Sequence, residues 1–127
     1  MGATEFEPFA SQKPSSLLPA MTAGERYAEL VRAYLHQPGV SQEGRGFGSF
    51  SLRVSGAIFA MLSAGGQLVV KLPSQRVEEL VASGDGDRFD PRGGRPLKEW
   101  LALRETSNQE WDGLAREALE FVRANRR

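Results

Sequence analysis

Apolar positions along the 127-residue chain follow two different periods, and the changes of period mark its elements. Tyr27, Leu30, Val31, Tyr34 and Leu35 recur at helical spacing. They stand behind Thr22-Ala23-Gly24-Glu25, a capping box in which the Thr22 hydroxyl accepts from a backbone amide three residues on while Glu25 reaches back. Pro38-Gly39 closes this first helix. From about 47 to 54 the period drops to two: Phe50, Leu52 and Val54 alternate with Ser49, Ser51 and Arg53, the pattern of a strand with one wet face. Two more extended runs, about 56 to 63 and about 67 to 72, follow with Ser55-Gly56 and Gly65-Gly66 between the runs at hairpin distance. The three read as an antiparallel meander.

Pro73-Ser74 opens a second helix with Ser74 as its N-cap, Val77, Leu80 and Val81 on one face, and Gly84 placed for the left-handed residue after its end. A short Arg88-Phe89-Asp90 segment and the turn Pro91-Arg92-Gly93-Gly94 lead into Leu97 to Leu103, where Leu97, Leu101 and Leu103 would line the inner face of a further strand. A second capping box, Ser107-Asn108-Gln109-Glu110, starts a last helix striped by Trp111, Leu114, Ala118, Phe121 and Val122 and fraying near residue 125. The expected architecture is α+β: helix, three-stranded meander, helix, one or two further strands, C-terminal helix. One layer of helices leaves the other sheet face to be polar and wet or covered by a partner. Residues 1–20, with three prolines and no sustained period, read as a flexible arm, which Phe6, Phe9, Leu17 and Leu18 would anchor if it docked. Residues 21–127 read as a single domain.

Composition narrows the function. Sixteen basic and sixteen acidic residues cancel, so no whole-molecule field steers the chain toward nucleic acid or an anionic membrane. The absence of cysteine removes disulfides, thiolate nucleophiles and cysteine metal sites together. Apolar runs fall far short of the about 20 residues that span a bilayer, and Glu5 and Glu7 break any secretory leader, so a soluble cytoplasmic protein is expected.

Candidate chemistry is sparse. Gly44-Arg45-Gly46-Phe47-Gly48-Ser49-Phe50 resembles a phosphate cradle, but a Rossmann turn needs a strand before and a helix after it, and a P-loop needs a following Gly-Lys-Ser/Thr. The glycines read instead as the approach to a strand, with positive φ, a bulge or a tight bend expected at Gly44, Gly46 or Gly48. His36, the one histidine, sits at the end of the first helix, where a helix C-terminus suffices to explain a cation. Glu78 and Glu79 are neighbours on a solvated helix face, and Asp85 to Asp90 lacks EF-hand spacing. No catalytic, cofactor or metal-binding set is assigned. Between residues 88 and 104 lie five basic residues (Arg88, Arg92, Arg95, Lys98, Arg104), two acidic ones (Asp90, Glu99) and the aromatics Phe89 and Trp100. Basic residues interleaved with aromatics suit phosphate and base contacts.

The ordered set Gly46-Phe47-Gly48, Val54-Ser55-Gly56-Ala57-Ile58-Phe59-Ala60-Met61-Leu62, Leu68-Val69-Val70-Lys71-Leu72, Phe89-Asp90 and Gly94-Arg95-Pro96-Leu97-Lys98-Glu99-Trp100 resembles the TfoX/Sxy N-terminal domain family, with MmcQ/YjbR-like proteins the nearest alternative. The resemblance covers slightly under half the chain and implies a secretion-chaperone-like α+β fold. It also implies a link to competence regulation in some members and a DNA-binding role among the MmcQ/YjbR relatives. Competence regulators carry a second, C-terminal helical domain that these 127 residues do not include. Gly48, Gly56, Phe59, Lys71, Phe89, Gly94, Arg95 and Trp100 match the family pattern. Lys71 stands apart because its neighbours Val70 and Leu72 take the opposite sheet face. The leading expectation is a non-enzymatic interaction or regulatory module that binds a protein partner, or itself, through the sheet face. The alternative is weak nucleic-acid binding through Arg88, Arg92, Arg95 and Lys98, helped by Lys71. No cofactor, metal or membrane partner is expected.

Overall fold

A computed structural model describes residues 21–43, 51–91 and 93–125. The glycine stretch 44–50, the arm 1–20 and Arg92 lie outside the described residues, and with them the expectation for Gly44, Gly46 and Gly48. The elements in chain order are α1 (Ala23–Tyr34), β1 (Val40–Glu43), β2 (Ser51–Val54), β3 (Ala57–Leu62), β4 (Leu68–Lys71), α2 (Ser74–Ala82), β5 (Gly86–Arg88), β6 (Trp100–Leu103) and α3 (Trp111–Ala124). The fold is α+β, three helices with a six-stranded sheet in the order β1-β2-β3-β4-β6-β5, every neighbouring pair antiparallel. No described helix is long and apolar enough to cross a membrane.

Local signals built several elements as the sequence predicts. The Thr22 box forms in both directions: Glu25 N–H donates to Thr22 Oγ1 at 3.1 Å and Thr22 N–H to Glu25 Oε1 at 2.9 Å. Ser55 and Gly56, at φ 52° and 85°, make the two-residue turn between β2 and β3, since turns with positive φ at both central residues match the twist of the flanking strands. Gly84 takes φ 84° after α2.

Other expectations are corrected. The meander has four strands, because the polar stretch Val40–Glu43 pairs antiparallel with β2, Val40 opposite Val54 and Glu43 opposite Ser51. The strand expected over 97–103 is confined to Trp100–Leu103, and Leu97 lies in the preceding loop. Ser74 is the first helical residue of α2 behind Pro73, with no side-chain cap. The second capping box does not form: α3 begins at Trp111, and the Ser107 hydroxyl instead donates to Asp85 at 2.7 Å while accepting from Gln109 N–H at 3.0 Å. Leu35, placed in the α1 stripe by its spacing, follows the last helical turn and is 43% exposed.

The meander is joined to the far edge of the sheet through a split β-α-β unit. Because β4 and β5 are each antiparallel to β6, they run parallel to one another, linked by α2, with β6 inserted between them. Residues from all three helices (Tyr27, Leu30, Val31 and Tyr34; Val77 and Leu80; Leu114, Ala115, Ala118, Leu119 and Val122) share one core with Leu52, Val54, Phe59, Ala60, Leu68, Val70, Leu72, Leu101 and Leu103. Tyr34 donates to Asp112 O at 2.9 Å and its ring lies 6.1 Å from that of Phe59, tying α1 to α3 over β3.

Close approach decides one position. A Cβ on Gly86 would stand 2.7 Å from Ala102 O and 2.9 Å from Leu101 Cδ1, so β5 fits beside β6 only as glycine. Gly86→Ala is expected to lower stability by about 1–3 kcal/mol in urea unfolding, the scale of overpacking strain. A loss below about 0.5 kcal/mol, the scatter of ordinary surface substitutions, would show that the strand pair relaxes freely.

Candidate interaction face

Register assigns side chains to the two faces of the sheet. Val70 opposite Leu101 and Leu62 opposite Leu68 point toward the helices, whereas Met61 opposite Val69, Val69 opposite Ala102 and Lys71 opposite Trp100 point away from them. Met61, Val69 and Ala102 form a second apolar cluster, flanked by half-buried Phe89 and Trp100, and it contains no helix residue. A bulge sharpens the division. Leu52 opposes Ala60 and Arg53 opposes Ile58, so Phe59 is the extra residue of β3; Phe59 and Ala60 both enter the helix-side core while Ile58 shares the far face with Arg53.

The rim of this face is charged, and most of its charges are paired. Asp87, opposite Ala102, accepts from Arg104 Nε at 3.0 Å and Nη2 at 2.7 Å, a bidentate fork. Lys71 lies 3.9 Å from Glu99 and 5.8 Å from the centre of the Trp100 ring, so the lysine is held by a carboxylate and an aromatic face together. Arg53 differs: its Nη1 donates to Gly56 O at 3.0 Å, its Nε is buried without a hydrogen-bond partner, and so is the hydroxyl of fully buried Ser51 two residues before it.

The basic residues singled out in the sequence do not gather into one surface. Lys71 lies on the helix-free face, but Arg88, opposite core residue Leu101, turns to the helix side and pairs with Glu78 of α2 at 3.7 Å. Arg95 and Lys98 are exposed in the loop between β5 and β6 and carry no ion pair among the described residues, and Arg92 is outside them. The Asp90 carboxylate organises that loop by accepting from Gly94 N–H at 2.8 Å and Arg95 N–H at 3.3 Å, a turn-forming role. Of the positions matching the family pattern, Gly56 is a turn residue and Phe59 is core, whereas Trp100 flanks the second cluster.

Perturbed ionisation has structural causes throughout. Burial pushes Tyr34 up to about 12, helped by the nearby Asp112, and burial raises Tyr27 beyond the usual range. Hydrogen bonds from Ser83, Ser107 and Gln109 hold Asp85 below the ordinary carboxylate value, and the Arg104 hydrogen bond does the same for Asp87. Among the described residues no three His, Asp or Glu side chains converge as metal ligands. A concavity of about 510 Å³ runs between α1 and the sheet beside Tyr27, Val31, Leu35 and Leu62.

Ile58 and Met61 were not singled out from the sequence, although their signal was present. Ala57–Leu62 is apolar without interruption, and a strand apolar at every position needs cover on both faces. Comparison of the chain with protein-family models, with curated proteins and with solved structures gives no match.

The Asp87–Arg104 fork makes an acid-limb prediction. A carboxyl depressed on folding lends stability that is present above its unfolded value, ordinarily 3.8, and is lost as pH falls through the lower folded value. Asp87→Asn is therefore expected to flatten the fall in urea midpoint below about pH 4 while leaving the profile above about pH 5 parallel to the parent chain. Curves parallel throughout would show that the fork adds nothing to folding.

Proposed function

We propose that this chain is a non-enzymatic interaction module, of the kind its resemblance to TfoX N-terminal domains suggests, which binds a protein partner through the helix-free face of its sheet. The observation that carries this reading is the second cluster: buried Met61, Val69 and Ala102, to which no described helix contributes, present half-buried Phe89 and Trp100 as the apolar edge of that face. Apolar centres ringed by polar or charged residues are the usual anatomy of a recognition surface, and here Lys71, Glu99, Asp87 and Arg104 supply the ring. Aromatic residues at the edge of such a centre carry much of the binding energy.

Nucleic-acid binding is the second reading, favoured by the exposed Arg95 and Lys98, joined in sequence by Arg92. It ranks lower because Arg88 and Lys71 face opposite sides of the sheet and each already has a carboxylate partner. Three cations are few beside the six to ten phosphate contacts of a strong binder.

Capture experiments with surface variants test the primary reading. Trp100→Ala and Lys71→Glu, checked for native circular dichroism, are expected to weaken retention of a specific partner by about 30-fold, the scale of an aromatic hot spot, whereas Glu29→Lys and Arg32→Glu on the outer side of α1 leave it unchanged. Retention that survives the sheet variants and fails in the α1 variants would overturn the assignment of the face.

A further inference from the structure

A cavity of about 330 Å³ opens at the end of the sheet where two helices begin. The start of α1, the Gly65-Gly66 turn between β3 and β4, and the connection from β6 to the first residue of α3 wall it. That volume lies at the low end of the range that holds small molecules. Three charged side chains line it, and they are not equivalent. Arg104 is spent on Asp87. The Arg26 guanidinium lies 4.1 Å from the centre of the Trp111 ring, and among the described residues no carboxylate or carbonyl accepts from it. Glu105, on the same cavity, has no ion pair or hydrogen-bond donor among the described residues either. Two opposite charges therefore share one cavity without satisfying each other.

A guanidinium stacked on a ring keeps its edge N–H groups in one plane, the fork that takes both oxygens of a carboxylate. A glutamate takes an ammonium. Between them stand Met21, which is 44% exposed, and half-buried Trp111, both open to an apolar side chain. We propose that this cavity binds a free α-amino acid with an aliphatic side chain, its carboxylate on Arg26, its ammonium on Glu105 and its side chain against Met21 and Trp111. The site is distinct from the helix-free face and does not depend on what binds there.

Size and charge both favour this class. At about 30 Å³ per water the cavity has room for roughly eleven waters, enough for the about nine non-hydrogen atoms of leucine. Glu105 counts against a simple anion, because a phosphate or dicarboxylate held by Arg26 would meet a like charge in the same cavity. At the carboxylate end, α3 starts at Trp111 with no side chain capping its first amides, so the positive end of that helix adds to Arg26. The glycine wall is fixed by packing: Gly66, at φ 84°, approaches α1 so closely that a Cβ on it would stand 3.4 Å from that of Ala23. Arg26 and Glu105 are both exposed, so water competes for each and the affinity is modest.

Titration of the isotope-enriched full chain with L-leucine, followed by NMR of backbone amides and the Trp111 indole, tests the site. Saturable shifts of Gly65, Gly66 and the Trp111 indole N–H are expected, with a Kd of about 0.1–1 mM for a ligand of this size. Two analogues separate the contacts: 4-methylpentanoate lacks the ammonium and leucinamide lacks the carboxylate. Each is expected to bind about tenfold more weakly than leucine, the scale of one charged hydrogen bond. Arg26→Gln is expected to weaken leucine about tenfold without weakening leucinamide, and Glu105→Gln to weaken leucine about tenfold without weakening 4-methylpentanoate. No saturable shift up to about 20 mM leucine, far above the expected Kd, overturns the proposal. So do shifts centred on Lys71 or Arg95, or analogues that bind as well as leucine. Equal losses for leucine and the matched analogue in both variants would mark structural damage in place of ligand contacts and overturn it too.

Discussion

A strand delivers alternate side chains to opposite faces, and here three helices contribute to the core on only one of them. That imbalance governs the rest of the molecule. On the helix side the bulge at Phe59 brings two consecutive β3 side chains, Phe59 and Ala60, into one core and so thickens it beneath α1 and α3. On the other side the same register leaves Met61, Val69 and Ala102 as a small buried cluster that, among the described residues, Phe89 and Trp100 flank.

The charges serve architecture more than recognition. Arg76 of α2 donates through Nε and Nη2 to the two oxygens of Glu117 on α3 and through Nη1 to Glu79, clamping the helices side by side. Arg88 ties β5 to α2, Arg104 ties the end of β6 to β5, and Arg123 of α3 donates to Pro38 O at 2.8 Å, closing the chain's last helix onto the turn after its first. With so many cations engaged between neighbouring elements, a long-range field is weak, and few polar groups are left incompletely satisfied. Arg53 is the clearest of these.

What could be read from the sequence was what short-range chemistry decides. The Thr22 box, the Ser55-Gly56 turn and, Leu35 apart, the apolar stripes of α1, α2 and α3 depend on residues a few positions apart, and these formed. Strand β1 was invisible because Val-Ser-Gln-Glu has little strand character of its own and becomes extended by pairing with β2. The Ser107 box failed for a long-range reason: Asp85, 22 residues away, accepts the hydroxyl proton. Lys71 was correctly assigned away from its neighbours' face by alternation alone, whereas the partners of Arg88 and Lys71 were set by tertiary packing. The unbroken apolar run of β3 pointed to a two-sided sheet, and the alternating pattern of β2 drew attention away from it.

The central claim is that the helix-free face is where this domain makes its contacts. A photo-crosslinking amino acid placed in turn at Ile58, Phe89, Arg32 and Glu120 of the full chain in living cells tests it most directly. The account predicts covalent adducts from positions 58 and 89 and none from the helix positions 32 and 120. Adducts confined to positions 32 and 120 would contradict it.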